Sequence, residues 1–201
     1  MRFGVVILAA GRSSRMGRPK LLLPWGDTTI LGHLVKQWQA LGAEQIVVVH
    51  AEADMALQVE LARLVDSAAC GLANPAAERG MFGSIVVAAS WGGWQAGLSH
   101  VVIALGDQPH LELDTLKSLL DFAATAPDGI CQPSLGGRPR HPVVLAWRHF
   151  RRVAETGAGT LRDFLEQNAR HVRLLPSSDE GLDLDLDRPE DYQRAVRMSA
   201  R

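Results

Sequence analysis

Cysteine is scarce in this chain: two in 201 residues, Cys70 and Cys131, far apart and each alone. That excludes a disulfide framework, and the spacing is not that of metal-ligating thiols. Two unpaired, buried thiols suit a reducing compartment, so a cytoplasmic location is expected. Excess charge is also missing. The 21 Lys and Arg nearly cancel the 22 Asp and Glu, for a formal net charge of −1. No broad attraction to nucleic acid or to a membrane surface follows, and neither is expected as a partner. No apolar run approaches a membrane-spanning length. The first one, Val5 to Leu8, is too short for the core of a signal peptide and leads straight into a glycine loop. There is no internal repeat and no low-complexity stretch. Two familiar glycine patterns for phosphates are absent too. The P-loop needs Gly, four residues, then Gly-Lys-Ser/Thr; here five residues separate Gly11 from Gly17, and Leu21 follows Lys20. The dinucleotide pattern G-x-G-x-x-G fails because Arg12 and Ser13 follow Gly11.

What is present is an ordinary globular composition, 47% apolar and 21% charged, at a length that suits one α/β domain over residues 1–201. Val5-Val6-Ile7-Leu8 reads as a buried parallel strand. It ends in Ala9-Ala10-Gly11, where no bulky side chain shields the backbone. Cations at Arg12, Arg15, Arg18 and Lys20 follow, with hydroxyls at Ser13 and Ser14. Small residues after a strand, then clustered positive charge and inward-turned amides, suit a polyphosphate. Thr28 or Thr29 is placed to cap a helix running to about Leu41, and Ile46 to Val49 reads as the next strand, closing a βαβ unit. His50 at that strand's end is expected at the surface. A helix carrying Met55, Leu57, Val59, Leu61 and Leu64 and a short strand from Ala69 to Asn74 follow. Ser84 is then expected to open a helix, whose N-terminal amides would attract anionic or polar ligand groups.

Val101 to Leu105 is the most apolar strand in the sequence, and it ends in Gly106-Asp107-Gln108-Pro109. A carboxylate at the C-terminal end of a central parallel strand lies where α/β sheets bind ligands, and hard oxygens there suit Mg²⁺ on phosphates. Gly106 is expected to let substrate approach closely. The turn Gly136 to Pro142 gathers Arg138, Arg140 and His141 into a basic tip; a solvated hairpin tip is the plain reading of the same residues. Near the C-terminus, Leu182-Asp183-Leu184-Asp185-Leu186-Asp187 alternates strictly. The alternation predicts a strand with all three aspartates on one face, where like charges repel unless a cation lies among them. Asp183 is expected to be solvated. Pro189 begins the last helix.

Leu8, Ala10, Gly11, Ser13, Arg15, Met16, Gly17 and Lys20 fill every fixed position of L-x-A-G-x-S-x-R-M-G-x-x-K. In this the chain resembles the MobA-like nucleotidyltransferases, and later matches extend over its whole length. These are Asn74, Gly80, Met81 and Ser84; Gly106 to Pro109; Gly137, Arg138, His141 and Pro142; and Asp185, Asp187 and Pro189 to Asp191. Two positions depart from the family pattern: Arg188 stands where Thr is usual, and the segment near Arg162 lacks the usual Asp.

The resemblance implies a three-layer α/β/α, mostly parallel, Rossmann-like nucleotidyltransferase fold. It implies nucleotide contacts from Leu8, Ala9, Ala10, Gly11, Ser13, Arg15, Lys20, Asn74, Gly80 and Ser84, with Arg15, Lys20 and Asp107 catalytic. It implies Mg²⁺ at Asp107 with Asp185 or Asp187, and acceptor contacts from Arg138 and His141. Ala9-Ala10-Gly11 looks like the molybdenum cofactor cytidylyltransferase branch, which joins CMP from CTP to molybdopterin; guanylyl members tend to carry Ala-Gly-Gly. A molybdoenzyme or its chaperone is then the expected recipient of the product. A guanylyltransferase for the same cofactor and a sugar-1-phosphate nucleotidyltransferase are the enzyme alternatives. A nucleotide-binding chaperone without turnover is the third, and retention of Lys20, Asp107 and Asp187 argues against it.

Overall fold

The computed structural model describes residues 1–11, 16, 19–64 and 69–199. Its elements in chain order are β1 (Phe3–Leu8), β2 (Pro24–Trp25), β3 (Thr28–Thr29), α1 (Ile30–Ala40), β4 (Gln45–Ala51), α2 (Met55–Arg63), β5 (Ala69–Asn74), α3 (Met81–Ser90), β6 (His100–Leu105), α4 (Leu113–Ala124), β7 (Ile130–Leu135), β8 (Arg138–Pro139), β9 (Val143–Ala146), α5 (Trp147–Val153), α6 (Leu161–Gln167), β10 (Val172–Pro176) and α7 (Pro189–Ser199). Among the described residues, one sheet runs in the order β10-β7-β9-β6-β1-β4-β5, with β8 added to β7; β2 and β3 pair by themselves. Pairings of β1 with β4 and β6, of β4 with β5, and of β10 with β7 are parallel; β9 runs antiparallel between β6 and β7.

Alternation along the central strands divides the core into two layers. Val5 and Ile7 of β1 and Ile46 and Val48 of β4 face a cluster that includes Leu34 and Trp38 of α1, Leu116 and Leu119 of α4, and Ala195 of α7. Val6, Val47 and Val49 face the other side, against Ile85 of α3, Phe150 of α5 and Phe164 of α6. Burying an aliphatic side chain of this size stabilises the fold by about 1.5–3 kcal/mol. Both faces of β1 and β4 are thus covered, which is why these strands read as continuous apolar runs. The three-layer, mostly parallel α/β/α architecture is as the sequence implied.

Local signals set several boundaries. The Thr29 hydroxyl accepts from the Gly32 amide at 3.0 Å and caps α1. α6 begins with a reciprocal capping box between Thr160 and Asp163. Other expectations fail for physical reasons. His50 is buried at the end of β4, its Nδ1 2.9 Å from the Ala51 carbonyl. Met55 and Val59 of α2 are exposed and Leu57 alone of the expected apolar set is fully buried, so the composition of α2 overstated its buried face. Ser84 does not open α3: the helix starts at Met81, one turn earlier, because Gly80 at φ +87° breaks the chain there. Cys131 is buried and Cys70 half-buried; both are free thiols, and burial raises the pKa of each. No helix among the described residues is long and apolar enough to cross a membrane.

Candidate functional site

The sheet changes direction at β1. The chain leaves β1 through α1 to reach β4 on one side, and later returns as β6 on the other. Parallel sheets open a crevice at the C-terminal strand ends where the winding reverses. A cleft of about 530 Å³ occupies that place. Leu8, Ala9, Ala10 and Gly11 from the end of β1 form one wall, with Gly80, Met81 and Ser84 at the start of α3 opposite. Lys20, Asp107 and Asp185 line it as well.

Each wall has a local cause. The Ala9 amide donates to the Val49 carbonyl at 2.8 Å, which holds the chain beyond β1 against β4. Gly106 lines the cleft and also serves the fold: a Cβ there would lie 2.7 Å from the Leu8 carbonyl oxygen, to which the Gly106 amide donates at 3.1 Å. The glycine therefore lets the end of β6 close onto β1. Gly80 gives α3 no side-chain cap, so the first amides of the helix face the cleft unclaimed by a capping group.

Lys20 Nζ lies 2.6 Å from Asp107 Oδ2 and 3.9 Å from Asp187 Oδ1. Asp185 faces the cleft, and Gln108 Nε2 donates to its Oδ1 at 3.0 Å. Burial first, and then the Asp107 charge, raise the Asp185 pKa; the Gln108 hydrogen bond opposes them. A cation between Asp107 and Asp185 would relieve both pressures. Among the described residues no three His, Cys, Asp or Glu side chains are grouped to hold a metal ion by themselves. Two hard carboxylates that need phosphate oxygens and water to complete the shell fit Mg²⁺ or a similar divalent ion, which seldom sits in an all-protein cage. Of the two expected partners of Asp107, it is Asp185 that lines the cleft, while Asp187 is half-exposed and faces Lys20.

The segment carrying these aspartates is not a strand. A 3-10 turn covers Glu180–Asp183, and an extended stretch without strand pairing follows, tied to the Asp107 carbonyl by the Leu186 amide at 3.2 Å. The alternation still holds: Leu182, Leu184 and Leu186 are buried in the α1 and α4 layer, and the aspartates point away. Asp183 is not merely solvated but pairs with Arg140, whose hydrogen bond lowers its pKa.

A second cavity, of about 330 Å³, shares Leu105 and Asp185 with the first and is lined further by Gln108, Gln132, Arg140, His141 and Asp183. Burial pushes His141 down to about 4, so its ring is neutral at pH 7 and adds no charge to the basic turn. Arg138 is exposed and lines neither cavity; Arg140 lines the second one. Asn74 is likewise withdrawn from the cleft lining. It is buried, donates to the Ser84 hydroxyl at 3.0 Å and accepts from the Ala76 amide at 2.9 Å, so it positions Ser84. Ser13 and Arg15, with Arg12, Ser14, Gly17 and Arg18, lie outside the described residues. Asp54, Leu57 and Glu78 line the cleft unforeseen; Asp54 reads in the sequence as the N-cap of α2, and it accepts from the Leu57 amide at 3.0 Å.

Curated relatives align over nearly the whole chain. A molybdenum cofactor guanylyltransferase of Mesorhizobium japonicum is 28% identical over 96% of this chain and 94% of its own. Nicotine blue oxidoreductase of Paenarthrobacter nicotinovorans is 31% identical over 95% of each chain. The molybdenum cofactor cytidylyltransferase of Escherichia coli K12 is 25% identical over 93% of this chain and 92% of its own. Among solved structures, Rv0371c of Mycobacterium tuberculosis H37Rv superimposes with a TM-score of 0.79 at 28% identity over 98% of both chains. Its manganese complex gives 0.72 at 26% identity, over 98% of this chain and 99% of that one. Residues 5–172 match the MobA-like NTP transferase domain, and the chain belongs to that family.

Proposed function

We propose that the protein transfers a nucleotidyl group from a nucleoside triphosphate to the terminal phosphate of a molybdopterin-type acceptor. One observation carries this: Lys20, Asp107, Asp185 and the uncapped start of α3 converge on one cleft at the strand ends, beside a second cavity that shares Asp185. A phosphate oxygen of the acceptor attacks the α-phosphorus, the bond to the bridging oxygen breaks, and pyrophosphate leaves with that electron pair. The acceptor is already ionised at neutral pH, so no general base is required.

The chain's part is placement and charge. Backbone from Leu8 to Gly11 and the first amides of α3 cradle the triphosphate, and Lys20 meets its developing negative charge. Ser13 and Arg15 are assigned to the same phosphates from the sequence pattern. Asp107 and Asp185 would hold a divalent ion such as Mg²⁺, which when bound would neutralise the phosphates and polarise the α-phosphate. Arg140 and neutral His141, with Gln132, receive the acceptor in the second cavity. Arg138, exposed at the tip, is left to meet a distal part of the acceptor or the molybdoenzyme or chaperone that takes the product.

CTP is the proposed donor, on the strength of Ala9-Ala10-Gly11. Similarity to the Mesorhizobium guanylyltransferase supports GTP as the second reading. Pyrophosphate release with Mg²⁺ and each of CTP, GTP, UTP and ATP, with and without molybdopterin, tests both. Release that requires CTP and the pterin is expected. GTP-dependent release moves the protein to the guanylyl branch. Absence of pterin-dependent release with every nucleotide rejects the transferase reading and turns attention to sugar phosphates, to nucleotide binding without turnover, or to a redox role such as the Paenarthrobacter relative's name states.

A further inference from the structure

Three buried polar atoms without a hydrogen-bonding partner belong to residues around one small cavity: Oε1 of Gln37, Nε1 of Trp38 and Oε1 of Gln108. The cavity lies between α1, α4 and the end of β6, and Leu111 and Pro142 help to close it. A water's centre has about 10 Å³ there, which is roughly the space one molecule needs.

Both glutamine amides have fixed orientations. Gln37 Nε2 donates to the Leu111 carbonyl at 3.1 Å, and Gln108 Nε2 donates to Asp185 Oδ1 at 3.0 Å. Turning either amide over would set oxygen against oxygen. The surrounding residues therefore offer two acceptors and the Trp38 indole N–H as one donor. A single water, with two O–H donors and a lone pair to accept, is the chemical complement of that set. An apolar filler would leave all three atoms unmet, which proteins seldom tolerate.

We infer that Gln108 is a positioning residue for the cleft carboxylate Asp185, and that one buried water shared with Gln37 and Trp38 holds its amide in place. The chain of contacts runs from the core helix α1 through the water and Gln108 to Asp185. It rests on the reading of Asp185 as a metal-holding group. Outer groups that orient a metal-binding carboxylate typically change metal affinity about 10–100-fold when removed.

Two measurements test it. A crystal structure at about 1.5 Å should show one ordered water within about 3.2 Å of all three atoms. An empty cavity, or a Gln108 amide turned away from Asp185, overturns the inference. Titration of Mn²⁺ onto the protein with a non-hydrolysable CTP analogue supplies a readout independent of turnover. Gln108→Leu should weaken Mn²⁺ binding about tenfold. Trp38→Phe, which removes the one donor together with part of the indole's core volume, should weaken it about threefold in protein that remains folded. Unchanged Mn²⁺ affinity in folded Gln108→Leu, with the wild type binding normally, overturns the positioning role alone. Failure of the wild type to bind Mn²⁺ overturns the reading of the cleft itself.

Discussion

The two halves of the candidate site are built by different means. On the proposed nucleotide side, the end of β1, the Gly106 turn and the start of α3 present backbone at the ends of regular elements, set by the close approach of Gly106 to Leu8 and the positive φ of Gly80. On the proposed acceptor side, an irregular segment is fastened by side-chain pairs from distant parts of the chain: Arg140 to Asp183 and Gln108 to Asp185. Backbone cradles fix where a ligand's phosphates go. Side-chain pairs can exchange partners when a ligand arrives, so the acceptor side is the half that can be retuned without refolding.

The largest effect should come from breaking the nucleotide side. Lys20→Ala and Asp107→Ala, made separately, are each expected to lower kcat by about 10²–10³-fold. Circular dichroism should stay unchanged, because neither side chain supports the core. A steady-state comparison of kcat with the nucleotide KM checks this. Full activity in both variants would show that the cleft has been assigned to the wrong chemistry.

The second test uses pH on the acceptor side. Burial holds the folded-state His141 pKa near 4, below the ordinary 6.5. Between those values the unfolded chain binds a proton that the folded chain does not, so stability falls as pH drops from about 6.5 to about 4. The full difference is worth up to about 3 kcal/mol. Urea melts of wild type and His141→Gln across this window should show a shallower loss in the variant. Parallel slopes would mean that His141 titrates normally.

The contrast also explains how much was legible in the sequence. The end of β1, the helix cap at Thr28 or Thr29 and the turn at Asp107 rest on local spacing, which a sequence displays, whereas the three-layer architecture was legible through the resemblance to the MobA-like family. The Leu–Asp alternation at residues 182–187 reports which side is buried but not a strand. A period of two requires only that one side be buried, and the leucines meet that against the α1 and α4 layer without a neighbouring strand. That Arg140 as well as His141 lines the second cavity is not visible in the turn's composition, since the pairing with Asp183 across the fold is what turns Arg140 inward. Asn74 matches a nucleotide-binding pattern; its bond from the Ala76 amide is a local Asx turn, but its contact with Ser84, ten residues away, is one that linear spacing does not reveal.

Arg140→Gln sharpens the comparison at intermediate size. Losing one charge-assisted contact to a phosphorylated acceptor should raise the acceptor KM about tenfold. The nucleotide KM should not move, because Arg140 does not line the nucleotide cleft. Initial rates with each substrate varied in turn separate the two constants. An equal rise in both would mean that the two cavities act as one site.

The smallest expected effect belongs to Ala10→Gly, which asks whether the nucleotide side chooses its base at all. Ala10 lines the cleft, and its methyl group is the difference between Ala9-Ala10-Gly11 and the Ala-Gly-Gly form. One methyl-sized group in contact with a ligand is worth about 0.8 kcal/mol, or about fourfold. The ratio of kcat/KM for CTP to that for GTP should therefore fall about fourfold, with little change in either kcat. A much larger fall would make this residue the principal gate for the base. No change would move base selection to the other cleft groups, where Asp54 and Glu78 at the mouth of α2 and before α3 offer carboxylates that can accept from an exocyclic amine. In either case the choice of base would rest on the rigid half of the site, and the choice of acceptor on the half held by exchangeable pairs.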